Sequence, residues 1–345
     1  MKQKKLFNPE ASGIETMING DTTNLLDLSY VPKQYEIFHT LVANGEANQW
    51  KPQKTSMADD VFDYKHKLSI NEKEAFDKVI SFLVFLDSIQ TNNLPNIFSF
   101  ITNPHVVYFG ARQAYEEANH SMSYGWILSS LLSKDESHKL VNAWKDSETL
   151  LNRNKFIADI YQDFVDDSST KNFIRAIIGN YLLEGVYFYN GFQFFHNLAS
   201  RGMMLGTDTQ ISYIQRDELG HCSAFQNIIN LVFKENDILT KEIEELIYDM
   251  FREAVEWEIK FSVEFIGDKT LGMSTQSITD YAYHLGNKRL KDINLKQIFP
   301  KHKNPYKHLE KQAGSDDETS NRTNNFEGTS IAYKQPDVLS GWDDL

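Results

Sequence analysis

The spacing of apolar residues constrains this chain more than any other feature. Through most of the first 309 residues they recur at three- and four-residue intervals, which is the period of a helix with one buried face. No run alternates as a strand would, and no repeat or Gly-rich phosphate loop interrupts the pattern. Start signals agree with it. Ser69 with Glu72 forms a capping-box pattern ahead of "NEKEAFDKVISFLVFLDSIQTNN", a helix expected to stop before Pro95. Pro104, with Asn103 as cap, suits the first turn of a helix running to about Leu132. Thr207 with Gln210 repeats the capping pattern at the head of "DTQISYIQRDELGHCSAFQNIINLVFKE". "NKFIADIYQDFVDD", "KNFIRAIIGNYLLEGVYFYNGFQFFHNLAS", "KEIEELIYDMFREAVEWEIKFSVEFIG" and "STQSITDYAYHLGNKRL" read as further helices. The expected fold is all-α.

Several function classes are disfavoured. A net charge of −13 argues against nucleic acid, which is bound through clustered Lys and Arg. The most membrane-like stretch, Phe173 to Ala199, carries Arg175, Asn180, Glu184, Asn190, Gln193 and His196, which a lipid-facing span would not tolerate. It reads as a helix buried in protein. A single cysteine, Cys222, allows no intramolecular disulfide, and "MKQKKLFNPEASG" has no apolar run behind its basic residues, so a cytoplasmic protein is expected.

The chain divides into an N-terminal arm (1–25), a helical domain (26–309) and a polar, acidic tail (310–345) expected to be disordered when alone. Yet Phe326, Tyr333, Val338, Leu339, Trp342 and Leu345 are apolar anchors in that tail, as in a segment that orders on a partner.

Four of the helices carry polar residues in the stripe that should be core. One stripe runs Val106, Gln113, Glu117, His120, Tyr124, Ile127, and another runs Ile214, Glu218, His221, Phe225, Ile228, Val232. "EANH" and "ELGH" are thus Glu-x-x-His units whose side chains meet on one face, while Glu116 is rotated away, solvated or paired elsewhere. Glu184 shares a stripe with Ile177, Tyr181, Phe188 and Phe192, and Asp87 lies with Leu83 and Ile80. Burying one ionised carboxylate costs several kcal/mol, so four unpaired ones could exceed a domain's whole stability of roughly 5–15 kcal/mol. Few basic residues share those stripes, Arg216 being the nearest. A pair of cations would compensate. Two Glu-x-x-His helices plus one acid from each of two others is the donor set of dimetal carboxylate bundles, and oxygen with imidazole donors suits Fe or Mn.

These residues carry a family resemblance. "LDSIQ" at Asp87, "EEANHSMSY", "LEGVYFYNGF" and "RDELGH" together resemble the small, radical-generating subunit of class I ribonucleotide reductase, over about residues 45 to 345. The resemblance implies a ferritin-like helical bundle, a homodimer, and a metal pair held by Asp87, Glu117, His120, Glu184, Glu218 and His221. It implies oxygen activation there, oxidation of Tyr124 to a stable radical, and an apolar pocket of Phe188, Phe192 and Ile214 around that radical. Trp50, Asp217 and His120 match the inner part of a relay towards a large catalytic subunit, and Glu327 and Tyr333 in "NFEGTSIAY" match its continuation. "LSGWDDL" resembles the C-terminal peptide that docks on that subunit. The expected metal is iron, with manganese or a mixed Mn/Fe pair as alternatives, manganese calling for a flavodoxin-like activator. Gln113 stands where certain relatives carry Trp, and a Tyr at 124 argues against the subgroup that stores its oxidising equivalent on a manganese/iron pair. One chemical check agrees: ribose reduction in this family needs several thiols, and this chain has only Cys222, so the nucleotide chemistry belongs to another polypeptide. The alternative reading is a dimetal oxidase or hydroxylase on the same scaffold, which would need neither Tyr124, Trp50 nor a docking tail.

Overall fold

The computed structural model describes residues 1–23 and 25–309. Among them the chain runs α1 (Glu36–Ala47), α2 (Ala58–His66), α3 (Ile70–Phe98), α4 (Pro104–Leu131), α5 (Lys134–Val141), α6 (Glu148–Asp166), α7 (Thr170–Leu182), α8 (Tyr189–Ser200), α9 (Leu205–Glu235), α10 (Lys241–Phe265) and α11 (Thr275–Asp292). Isolated bridges are the only β-type pairing among these residues. Helix α3 packs along α4 and touches α7, while α9 packs against α4, α7 and α8. These four-way contacts enclose the polar stripes. None of the described helices is long and apolar enough to cross a membrane.

Local signals set most boundaries. Ser69 and Glu72 close the expected capping box reciprocally, at 3.3 Å from Glu72 N to Ser69 Oγ and 2.9 Å from Ser69 N to Glu72 Oε2. Asn103 Oδ1 accepts from the amides of His105 and Val106, as expected of a cap.

Three expectations fail, each for a tertiary reason. Helix α3 does not stop before Pro95 but continues to Phe98. One backbone hydrogen bond is forgone near the helix end, and burial of Leu94 and Ile97 offsets it. Helix α9 begins two residues before Thr207, after Met204 in the left-handed region (φ 56°, ψ 39°). Its free amides are capped from another helix. Asp60 of α2 accepts from Gly206 N at 2.9 Å and from Thr207 N and Oγ1, both at 2.7 Å, and Asp63 accepts from Met204 N at 3.0 Å. Thr207 is a donor to that cap and not itself the cap.

The third failure bears on the site. The run through "YLLEGVYFYN" is not one continuous α-helix: Leu183–Tyr187 forms a π-helical turn between α7 and α8. Such a turn widens the helix and re-aims its side chains, here including Glu184. Two buried arginines hold its carbonyls. Arg153 of α6 donates to Tyr187 O, and Arg289 of α11 donates through Nε to Gly185 O at 3.1 Å. Gly185 is required there, because a Cβ would lie 2.7 Å from Arg289 Nε.

The N-terminal arm reaches the core at Met17 and Ile18, both buried, with Met17 N donating to Glu235 of α9 at 2.6 Å. The tail, including Glu327, Tyr333 and "LSGWDDL", lies outside the described residues.

Candidate metal centre

Asp87 comes from α3, Glu117 and His120 from α4, Glu184 from the π turn, and Glu218 and His221 from α9; all six are fully buried. Donor atoms of Asp87, Glu117, His120 and Glu218 lie within 4.8 Å of one another, and so do those of Glu117, Glu184, Glu218 and His221. The two sets share Glu117 and Glu218. Each shared carboxylate sends one oxygen to each side. His120 Nδ1 is 3.1 Å from Glu218 Oε1 and 3.6 Å from Glu117 Oε2, while His221 Nδ1 is 2.9 Å from Glu218 Oε2 and 3.1 Å from Glu117 Oε1. Asp87 closes the first set at 3.9 Å from His120 Nδ1, and Glu184 closes the second at 3.6 Å from His221 Nδ1.

Protein groups alone leave this cluster unsatisfied. Both oxygens of Asp87, Glu117 Oε2, Glu184 Oε2, Glu218 Oε1 and His120 Nδ1 are buried without a hydrogen-bond partner. Such atoms are costly in a native interior unless something absent from the protein bonds them. Four carboxylates and two neutral imidazoles carry a charge that two divalent ions neutralise, so the residues fit a metal pair.

Proton affinities tell the same story. Burial, followed by the charges of Glu117 and Glu218, pushes Asp87 well above the usual carboxylate range, and burial with Glu218 and Glu117 does the same to Glu184. Burial opposes ionisation of Glu218 as well, but the neighbouring Glu184 carboxyl and the charges of His120 and His221 outweigh it and hold Glu218 low. Both histidines rise well above 6.5 against burial, His120 chiefly through Glu218 and His221 chiefly through Glu117. Without cations the cluster retains protons in their place.

Glu184 has a division of labour between its oxygens. Oε1 accepts from Gln90 Nε2 at 2.6 Å, Gln113 Nε2 at 3.0 Å and Asn180 Nδ2 at 3.2 Å, leaving Oε2 to face His221. The sequence reading placed Gln113 on the inward stripe of α4 with Glu117 and His120, but missed Gln90 and Asn180 as partners of Glu184. Their signal was helical spacing, Gln90 being three residues after Asp87 and Asn180 four before Glu184.

Tyr124, one turn beyond His120, is fully buried and its hydroxyl has no hydrogen-bond partner. Burial, then the charges of Asp87 and Glu218, raises its pKa far enough to keep the phenol neutral. Phe188, Phe192 and Ile214 are fully buried in the same core, the two Phe rings 5.7 Å apart. On the other side of His120, Asp217 Oδ2 lies 3.4 Å from His120 Nε2 and accepts from Trp50 Nε1 at 2.8 Å. Burial would raise Asp217, but its hydrogen bond with His120 and the charge of Arg216 hold it below the usual carboxylate value. The structure thus joins Trp50, Asp217 and His120, three residues far apart in sequence.

Of the two fates left open for Glu116, pairing is the one the structure realises. The side chain does not face solvent but is 6% exposed, pairing with Arg112 at 2.7 Å and with His221 Nε2 at 2.9 Å. The α4–α9 approach turns its face inward.

A bundle whose helices converge four carboxylates and two histidines on one buried point defines a class, the ferritin-like proteins with a dimetal carboxylate site. Within that class the chain belongs to the family of the ribonucleotide reductase small chain, whose family model matches residues 27–305. It is 38% identical to the ribonucleoside-diphosphate reductase subunit beta of Treponema pallidum over 344 residues, 98% of this chain and 97% of that one. The ribonucleotide reductase R2 subunit from Clostridium botulinum superposes with a TM-score of 0.84 at 39% identity, covering 90% of this chain and 98% of that one. The dimanganese(II)-NrdF of Streptococcus sanguinis shares the fold, with a TM-score of 0.72 at 20% identity over 84% of this chain and 98% of that one. Small chains of this family work with a large subunit, and the enzyme is a ribonucleoside-diphosphate reductase.

Proposed function

We propose that this chain generates a tyrosyl radical at Tyr124 and passes its oxidising equivalent to the large subunit, where ribonucleotides become deoxyribonucleotides. One observation carries the reading: the same six-residue donor cluster has the buried Tyr124 close enough to Asp87 and Glu218 to feel their charge, and is joined through His120 and Asp217 to Trp50. A metal pair held by Asp87, Glu117, His120, Glu184, Glu218 and His221 would supply, from an oxygen species, the oxidising power for one-electron oxidation of the phenol. Asp87 is the carboxylate whose charge bears most strongly on the Tyr124 phenol. The surrounding core, including Phe188, Phe192 and Ile214, excludes the water and reductants that would quench the radical. Asp217 holds Trp50 and His120 on one oxygen, so that an electron moving inward from Trp50 has a hydrogen-bonded route.

Iron is our assignment for the pair. Manganese and mixed pairs use similar donors, and manganese is the alternative, as named for the dimanganese(II)-NrdF of Streptococcus sanguinis; it would call for a flavodoxin-like activator. We further assign a homodimer in the cytoplasm, with Glu327 and Tyr333 continuing the relay and the C-terminal segment docking on the large subunit. Aerobic reconstitution with iron or manganese, followed by metal analysis and electron paramagnetic resonance, tests the reading. The expected tyrosyl signal disappears in Tyr124→Phe with metal content retained; a signal that survives the substitution refutes it.

A further inference from the structure

The two metal-binding helices carry one motif twice, an acid immediately before Glu-x-x-His: Glu116 before Glu117 and His120, and Asp217 before Glu218 and His221. In the fold these preceding acids are exchanged. Asp217 of α9 reaches His120 of α4, and Glu116 of α4 reaches His221 of α9, each at the Nε2 that points away from the cluster. Each acid also meets an arginine, Arg216 at 3.2 Å from Asp217 Oδ1 and Arg112 at 2.7 Å from Glu116 Oε1. What differs is the remaining partner. Asp217 receives the indole of Trp50, while both arginines reach the end of α1, Arg112 donating to Gly45 O at 2.7 Å and to Gln49 Oε1 at 2.8 Å and Arg216 to Asn48 O at 2.8 Å. The approach is close enough that a Cβ on Gly45 would lie 2.6 Å from Glu116 Oε1.

We infer that Glu116 is the positioning residue for His221: it accepts the Nε2 proton, so that Nδ1 keeps its lone pair for the cation shared with Glu117, Glu184 and Glu218. This rests on the reading of His221 as a metal ligand. A histidine bound through one nitrogen needs its other N–H satisfied, and a carboxylate there fixes the ring's tautomer and orientation and strengthens the donor. Arg112 keeps Glu116 aimed, and its anchorage on α1 holds the pair rigid. Asp217 does the same for His120 while also serving the relay. The division of the two acids follows from one neighbour: both meet a guanidinium, and Asp217 also receives the indole N–H of Trp50.

Equilibrium dialysis with Mn(II), reading free ion by its resonance signal, tests this without turnover. Wild type should hold two ions per chain and His221→Ala should lose one. Glu116→Leu should weaken one ion by about 10- to 100-fold and leave the other unchanged. Glu116→Gln, isosteric and still able to accept the Nε2 proton, should fall between, and it carries the test should the leucine variant not fold. Adding Glu116→Leu to His221→Ala should weaken binding no further, because the acid acts only through that ring. Circular dichroism and unfolding midpoints of the metal-free proteins separate positioning from damage. Two ions bound as in wild type by Glu116→Leu and Glu116→Gln, with His221→Ala down by one, overturns the inference and leaves the ligand assignment standing. Equal weakening of both ions also overturns it. Full binding by His221→Ala overturns the ligand assignment and the inference together.

Discussion

Replacing Arg153 by Met probes how the fold supports the π turn that presents Glu184. The Arg153 side chain is fully buried, its guanidinium 4.1 Å from the Tyr187 ring, 4.3 Å from Phe82 and 5.0 Å from Phe261. It donates to Tyr187 O and, at 2.6 Å, to Glu258 Oε2 on α10. The substitution leaves Glu258, 1% exposed, as an uncompensated buried acid and strips the Tyr187 carbonyl of a donor. Breaking a buried pair from one side costs about 3–5 kcal/mol, a large part of a total stability of about 5–15 kcal/mol. The loss should depend on pH. Burial already raises the Glu258 pKa, with Arg153 opposing; without Arg153 it rises further. A folded-state pKa above the unfolded value means that the native state holds the extra proton, so stability falls as pH climbs through that window. Urea unfolding of the metal-free protein, followed by circular dichroism, should therefore show a deficit that grows as pH rises above the ordinary carboxylate range. Arg153→Met with Glu258→Leu should recover most of it, since an apolar replacement for both partners is often neutral. A deficit below about 1 kcal/mol, or one that does not change with pH, would show that the pair is not the support inferred here.

Two further outcomes follow from the same reasoning. Asp87, buried with neither oxygen hydrogen-bonded and its pKa raised, destabilises the metal-free fold as pH rises above the ordinary carboxylate range. Asp87→Asn should raise the metal-free unfolding free energy near neutral pH by on the order of 1–3 kcal/mol while lowering bound metal, and a metal-free variant no more stable than wild type would count against the charge argument. Truncation after Gly314 should leave the Tyr124 signal intact and abolish turnover with the large subunit, so retained turnover would remove the tail from the docking role.

Glu184 shows why second-layer partners decide so much in this site. Three amides hold Oε1 and leave Oε2 for the cluster, so the residue acts through one oxygen. Gln90 is itself fixed by Tyr161, whose hydroxyl donates to Gln90 Oε1 at 2.8 Å, extending the network to α6. None of these partners chelates anything; they determine where the ligand points.

Helical class, the six donor residues and the position of Tyr124 one turn past His120 were legible because they depend on geometry within single helices. A residue turns about 100° around its helix wherever that helix sits, so Glu117 and His120 must share a face, as must Glu218 and His221. The energetic demand of four acids in apolar stripes then required a compensating group without any knowledge of packing. Other features depend on groups distant in sequence. Asp60 starts α9 from another helix, Leu94 and Ile97 carry α3 past Pro95, and Arg153 with Arg289 holds a π turn that periodicity renders as plain helix. Glu116 is the sharpest case. Rotation about α4 alone points it away from Glu117, and only the approach of α9 makes that direction the way to His221. Local geometry decided which residues could bind metal, whereas the packing of helices decided which atoms would be left free to do so.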